Sequence, residues 1–258
     1  MYPVLCKLGP FTVYSYGVAM VAAFLAATWL ATQAARRLPQ GQAAIPPDQL
    51  PDVASVVILG GILGARALYV ALHWDGFLAH PLELFAIWHG GLVFYGGVAG
   101  SVLAGWLYAR AKGLSLLLIA DQLIPFVALA HAIGRIGCFL NGCCYGWPTG
   151  AWYGVLFPGH DAPVIPTQLI EAAGLFGLFL ALSRAQTAGR LAQRGALFGR
   201  YLAGYGLLRF VVEFLRGDQT RWLAGMTLQQ VISIALLMAG TVLIFRSPQQ
   251  QENKHRPR

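Results

Sequence analysis

The sequence predicts an all-α, polytopic membrane protein of about seven transmembrane helices, with its N-terminus outside and its C-terminus inside. Three observations carry this. Of 258 residues, 57% are hydrophobic and only 11% are charged, at a mean hydropathy of +0.60. A soluble domain carries about 25% charged residues, so this chain cannot clothe a globule in charge. Apolar runs long enough to cross a bilayer, roughly 20 residues each, recur about seven times along it. The basic residues fall in short clusters between those runs: Arg36 and Arg37; Arg110 and Lys112; Arg184, Arg190 and Arg194; Lys254, His255, Arg256 and Arg258. That is the pattern of the positive-inside rule. It excludes reading the net charge of +8 as a nucleic-acid footprint.

The runs lie near 13–34, 53–72, 90–109, 114–138, 167–184, 197–215 and 227–246. The first lacks a basic start and a cleavage site, so it reads as a retained helix and not a signal peptide. Basic clusters follow the first, third, fifth and seventh runs, which places all of them on one face. The opposite loops carry His73, Trp74, Asp75, His80 and Glu83, then Trp147 to Val164, then Arg216, Asp218 and Arg221. Residues 1–246 form one integral-membrane domain, and 247–258 form a polar, disordered tail. Gly60, Gly61, Gly64, Gly90, Gly91, Gly96 and Gly97 permit close helix approach. No internal repeat points to a transporter built from two halves.

Polar groups inside the apolar runs mark the candidate site, because a charge at membrane depth costs several kcal/mol unless it meets a partner or a wet cavity. The first run opens with Tyr14, Ser15, Tyr16 and Gly17; Tyr14 reads as an interfacial aromatic. In the third, Trp88 to Gly97 is a glycine-bracketed aromatic run of the kind that holds a broken or re-entrant helix beside a cavity. The fourth carries Asp121, His131 and Arg135. His131 and Arg135 share a helix face, and Cys138 continues it by a turn. Asp121 lies close to four turns before Arg135 on a similar face, and Pro125 between them is expected to kink the helix. The bland alternatives are a snorkelling arginine and a hydrogen-bonded core histidine.

In the sixth run Tyr205, Arg209 and Glu213 recur every four residues, with Tyr201 before them and Arg216 after. Arg209 and Glu213 pair with each other in the simplest reading. Two arginines on separate membrane helices also suit a phosphate, which guanidinium grips through two parallel hydrogen bonds. The cysteines are Cys6, Cys138, Cys143 and Cys144. A metal site lacks a second cysteine pair and an outer disulfide stays open; small apolar packing is the default.

These residues together resemble the bacterial prolipoprotein diacylglyceryl transferase family, over about residues 10 to 246. Gly134-Arg-Ile-Gly-Cys-Phe-Leu-Asn141-Gly resembles the family signature G-R-x-G-N-F-x-N-G-E. Tyr16-Gly17, His89 to Gly97, Asp121 with Pro125, Pro166-Thr-Gln-Leu-Ile-Glu171 and Tyr205 to Arg216 resemble the other family motifs in order. Four positions depart. Cys138 replaces the first signature asparagine and Cys143 its glutamate. Tyr95 replaces a histidine, and Ile170 a tyrosine.

The resemblance implies transfer of a diacylglyceryl group from phosphatidylglycerol to the lipobox cysteine thiol of a preprolipoprotein signal peptide. The product is a thioether, formed in the bacterial inner membrane, and no cofactor or metal is required. It implies catalytic roles for Arg135 and Arg209 and puts Tyr95 where the family's histidine stands; His131, which does not match that histidine, is a catalytic candidate on its own chemistry. Tyr16, Asp121, Asn141, Tyr205, Glu213 and Arg216 are implied to bind substrate. Thiolate is the nucleophile. Phenols ionise far above neutral pH, so His89 and His131 are the better bases. The rival readings are a lipid transferase of altered donor or acceptor, and a lipid-binding or transport homologue without catalysis.

Overall fold

A computed structural model describes residues 2–9, 11–38, 43–79, 81–86, 90–188, 194–217, 219, 221–223 and 225–252. His80, Trp88, His89, Arg190, Asp218 and the basic residues from Lys254 onward lie outside the described residues. The chain forms two compact units, Met1–Gln42 with Ala120–Arg258, and Ala43–Ile119.

Helices dominate both. The larger unit begins with a hairpin of β1 (Val4–Leu8) and β2 (Phe11–Tyr14), which runs directly into α1 (Ser15–Arg37). The smaller unit holds α2 (Leu50–Leu72), α3 (Trp74–Ala79), a 3-10 turn (Pro81–Phe85) and α4 (Phe94–Ala111). Helix α5 (Leu116–Asn141) leads back into the larger unit. There it is followed by α6 (Thr167–Thr187), α7 (Ala196–Glu213), a second small hairpin of β3 (Arg221–Leu223) and β4 (Met226–Thr227), and α8 (Leu228–Glu252).

Five helices are long and apolar enough to cross a bilayer: α1, α2, α5, α6 and residues Leu228–Arg246 of α8. The chain is thus a helical, polytopic membrane protein. The other two predicted crossings correspond to α4 and α7, each 18 residues long. Both are diluted by glycines, and α7 also by Arg200, Arg209 and Glu213. Helix α5 continues through Pro125. At the other end of the chain α8 runs to Glu252, so helix occupies the first part of the tail expected to be disordered.

Glycine sets the packing within each unit. In the smaller one α2 meets α4 through Gly60, Gly64, Gly96 and Gly100. A Cβ on Gly64 would collide with the Gly96 carbonyl, and one on Gly100 with the Gly60 carbonyl. Ser101 adds a hydrogen bond to the Val57 carbonyl at 3.0 Å. In the larger unit α7 meets α8 the same way, with Gly199 against the Gly240 carbonyl and Gly206 against the Ser233 carbonyl. Between lipid-facing helices there is little hydrophobic drive, so close backbone approach supplies the attraction.

A buried arginine that the sequence reading passed over, Arg66, organises the segment before α4. Its guanidinium donates to the carbonyls of Glu83, Leu84 (3.1 Å), Gly90 (2.8 Å) and Gly91 (3.2 Å). Gly90 and Gly91 have φ of +85° and +72°, and a Cβ on Gly91 would strike Tyr69 and Arg66. This explains why helix begins at Phe94 and not at residue 90.

Asp121 also acquires a structural role. Its carboxylate accepts hydrogen bonds from the backbone N–H groups of Gly195 and Phe198 (2.7 Å), and the residue is fully buried. It caps the N-terminus of α7, where unpaired N–H groups favour an anion. Each of its oxygens holds a backbone N–H of the α7 start.

Gly64→Leu is expected to lower the thermal midpoint of the detergent-solubilised protein by the equivalent of about 1–3 kcal/mol of overpacking. Gly97→Ala, whose added carbon would sit at ordinary contact distance from the Gly61 carbonyl and Ala65, should leave the midpoint nearly unchanged in the same melt.

Candidate functional site: a buried arginine cluster beside three thiols

Helices α5, α6 and α7 bring most of the sequence-predicted residues together. Arg135 on α5 meets Glu171 on α6, with Nη2 2.9 Å from Oε1. The Glu171 side chain is 2% exposed and that of Arg135 17%. Tyr205 on α7 donates its hydroxyl to the same Glu171 oxygen at 3.3 Å. Three helices are thereby tied through one carboxylate.

One turn along α7, Arg209 pairs with Glu213 at 2.7 Å, as the four-residue spacing predicts. Thr227 donates to the other Glu213 oxygen at 2.6 Å. Its backbone N–H in turn donates to Gln230 Oε1 at 3.0 Å. Glu213 is therefore fixed from two sides, and it fixes Arg209.

His131 lies between these groups. Its Nδ1 is 3.4 Å from the Tyr201 hydroxyl, and its ring stands edge-on to Tyr205 with centroids 4.8 Å apart. Both guanidiniums, Arg135 and Arg209, are near enough to act on it electrostatically. Two donors in this cluster have no hydrogen-bond partner among the described residues: Nε of Arg135 and Nη1 of Arg209. Buried N–H groups are rarely left so.

Tyr16 opens the cluster toward α1. It is 42% exposed, and its ring packs where Gly137 of α5 has no side chain. Asn141, at the end of α5, is exposed. Arg216, just past α7, is buried and lines a small hollow with Trp147, Glu213, Gln219, Thr227 and Gln230. Tyr95 belongs to the other unit, near the start of α4, half exposed and edge-on to Phe94.

The segment from Gly142 to Pro166 is stitched down. Gly142 closes α5 with φ +79°. Gly146 donates to the Ile165 carbonyl at 2.8 Å and Trp147 to the Leu215 carbonyl at 3.0 Å. A Cβ on Gly146 would strike that Leu215 carbonyl. From the first turn of α6, Thr167 donates to the Cys144 carbonyl at 2.8 Å and Gln168 to the Cys143 carbonyl at 2.6 Å.

This clamp gathers Cys138, Cys143 and Cys144. Their sulfurs lie within 4.8 Å of one another, and all are free thiols. Cys144 has φ +67°, a left-handed conformation uncommon outside glycine. Its thiol, in the loop beyond α5, is held far below the ordinary range. The neighbouring thiols of Cys138 and Cys143 lower it first, and Arg216 and Arg135 favour its negative charge; the Cys143 thiol itself donates to the Cys138 carbonyl at 3.7 Å.

Sequence reasoning missed Glu171, Thr167, Gln168 and the convergence of the thiols. The signal for the first three was present in Pro166-Thr-Gln-Leu-Ile-Glu171, where polar residues open an apolar run. Glu171→Gln should leave Arg135 buried without its counter-charge. Removing one partner of a buried pair costs about 3–5 kcal/mol. A fall of the thermal midpoint, much smaller for Tyr205→Phe, is the expected result of a detergent melt.

A family model for prolipoprotein diacylglyceryl transferase matches residues 3–246. A protein of Methylococcus capsulatus named phosphatidylglycerol–prolipoprotein diacylglyceryl transferase is 36% identical over 250 residues, covering 94% of each chain. Proteins of the same name from Geobacter sulfurreducens and Clostridium tetani are 36% and 34% identical, covering 93% of this chain in each case and 93% and 95% of their own lengths. With the family match spanning nearly its whole length, the chain belongs to the prolipoprotein diacylglyceryl transferase family.

Proposed function

We propose that this protein transfers the diacylglyceryl group of phosphatidylglycerol to the lipobox cysteine thiol of preprolipoproteins, in the bacterial cytoplasmic membrane. The observation that carries the reading is the pair of buried arginines, Arg135 and Arg209, each with one carboxylate partner and one guanidinium nitrogen without a hydrogen-bond partner among the described residues. A phosphodiester is the anion that fits such donors, since guanidinium binds phosphate through directed, charge-assisted bonds.

The chemistry asks for little more. The acceptor sulfur attacks the glycerol carbon next to the phosphate. The carbon–oxygen bond breaks, its electrons pass to the phosphate oxygen, and glycerol phosphate leaves. Negative charge grows on the leaving phosphate, and preorganised cations stabilise it without reorganising. In this reading Glu171, Tyr205 and Glu213 aim the two arginines, Tyr16 and Asn141 border the headgroup, and Arg216 supplies a further positive charge. His131 and Tyr95 are the candidates for moving the thiol proton.

We also propose seven crossings, with α4 and α7 as the additional two, an outer N-terminus and an inner C-terminus. Basic residues end α1 and α4 and lie near the end of α6, in line with the positive-inside rule. Reporter fusions at Gly113 and Asn253 should read cytoplasmic and one at Gly159 periplasmic; a periplasmic signal at Asn253 contradicts the arrangement.

Arg135→Ala and Arg209→Ala should each abolish transfer to a lipobox peptide while the protein still inserts. Arg135→Lys should restore little, because an ammonium lacks the planar fork. Normal turnover by Arg135→Ala contradicts the mechanism. The broader reading is checked by whether the gene rescues a bacterium depleted of its own transferase.

A further inference from the structure

The acceptor thiol must lose its proton, and beside the arginine cluster, where His131 is one candidate to take it, the structure holds a second group suited to that task. Cys138, one turn beyond Arg135, converges there with Cys143 and Cys144 from the loop after α5.

Among the described residues, Cys138, Cys143 and Cys144 are the one group of three or more metal-ligating side chains that converge. Apolar packing does not require convergence. Here it is produced by specific devices: the left-handed turn at Cys144, the Gly142 closure of α5, and the Thr167 and Gln168 hydrogen bonds to the two cysteine carbonyls. Strained backbone that the surroundings hold in place is a mark of functional sites. Sulfurs bound to one zinc ion at ~2.3 Å stand ~4 Å apart, and the observed spread is within 4.8 Å, so closure needs only small side-chain rotations.

The ligand set defines the ion. Thiolates are soft donors and select zinc or monovalent copper over magnesium or calcium. Structural zinc sites have four protein ligands, whereas three protein ligands with an open position are the catalytic pattern. His131, one turn before Arg135 on α5, is engaged with Tyr201 and Tyr205 and is not part of the converging group.

We propose that Cys138, Cys143 and Cys144 bind one zinc ion as a three-thiolate site, and that its fourth position takes the acceptor cysteine thiol. The fourth-position assignment rests on the transferase reading; the ion site does not. A coordinated thiol is deprotonated outright, so its proton passes to solvent as the sulfur binds. The zinc-held sulfur then forms its bond to the glycerol carbon, the carbon–oxygen bond breaks, and the electron pair leaves on glycerol phosphate. Zinc is neither oxidised nor reduced. The thioether product carries no charge and is a weaker ligand, which frees the position.

The test uses the full-length protein in detergent, reconstituted with zinc and freed of excess by gel filtration. The expected content is one zinc per chain, falling to background in Cys143→Ser and unchanged in Cys6→Ser, whose thiol is exposed on β1. Cobalt in place of zinc should give thiolate charge-transfer and tetrahedral visible bands in the wild type, a readout that stands even if Cys143→Ser fails to insert. A lipobox peptide should shift the visible bands, and the same peptide with serine for cysteine should not. Wild type without bound zinc or a cobalt–thiolate band overturns the site, as does a disulfide among the three in protein purified without oxidant. Binding without the peptide shift overturns the fourth-position assignment. Transfer at full rate by metal-free protein overturns the zinc role and leaves the transferase reading intact. Zinc binding with no transfer leaves the ion site standing and overturns that reading.

Discussion

The Arg135–Glu171 pair is the constraint on which the larger unit's core depends. Neither charge is tolerable alone at that depth, so α5 and α6 must meet where they do. Tyr205 then draws α7 to the same carboxylate. Arg209 and Glu213 repeat the device one turn further, and Thr227 ties it to the hairpin before α8. Charge that is a liability in lipid becomes the framework of the site because Arg135 and Arg209 are each aimed by a carboxylate that is itself buried. A rigid, paired arginine loses little entropy when an anion arrives, whereas a solvated one would have to be ordered first.

The same logic explains the motif that opens α6. Within six residues it supplies Thr167 and Gln168 to the cysteine loop and Glu171 to Arg135. One helical turn therefore sets the geometry of both the arginine cluster and the thiol cluster. Asp121 works at the opposite end of the architecture: it seats the start of α7, and so the height at which Tyr205 and Arg209 stand along that helix.

Much of this was legible in the sequence because the relevant signals are local. Hydropathy located every long helix to within a few residues, as with 197–215 against α7 at Ala196–Glu213. Charges inside apolar runs identified Arg135, Arg209 and Glu213, since nothing but a partner or a ligand justifies them there. What was not legible depends on partners from distant segments. A helix face can be read from spacing, but the Glu171 that meets Arg135 cannot. The capping role of Asp121 was not legible because a cap is defined by the helix it caps, and that helix begins 75 residues later, at Ala196. Arg66 escaped notice because its partners are carbonyls, which every residue carries. The thiol cluster needed the positive φ of Cys144, a backbone property that cysteine does not announce.

The account's central claim is that Arg135 and Arg209 keep an anion-binding edge while paired. Lipid retention tests it most directly. Native mass spectrometry of protein taken from mixed phosphatidylglycerol and phosphatidylethanolamine vesicles should show phosphatidylglycerol retained by the wild type. Selective retention should be lost in Arg209→Gln, which keeps a polar N–H donor on the Glu213 side of the helix but removes the charge and shortens the reach. Equal retention of phosphatidylglycerol by both proteins would contradict the claim.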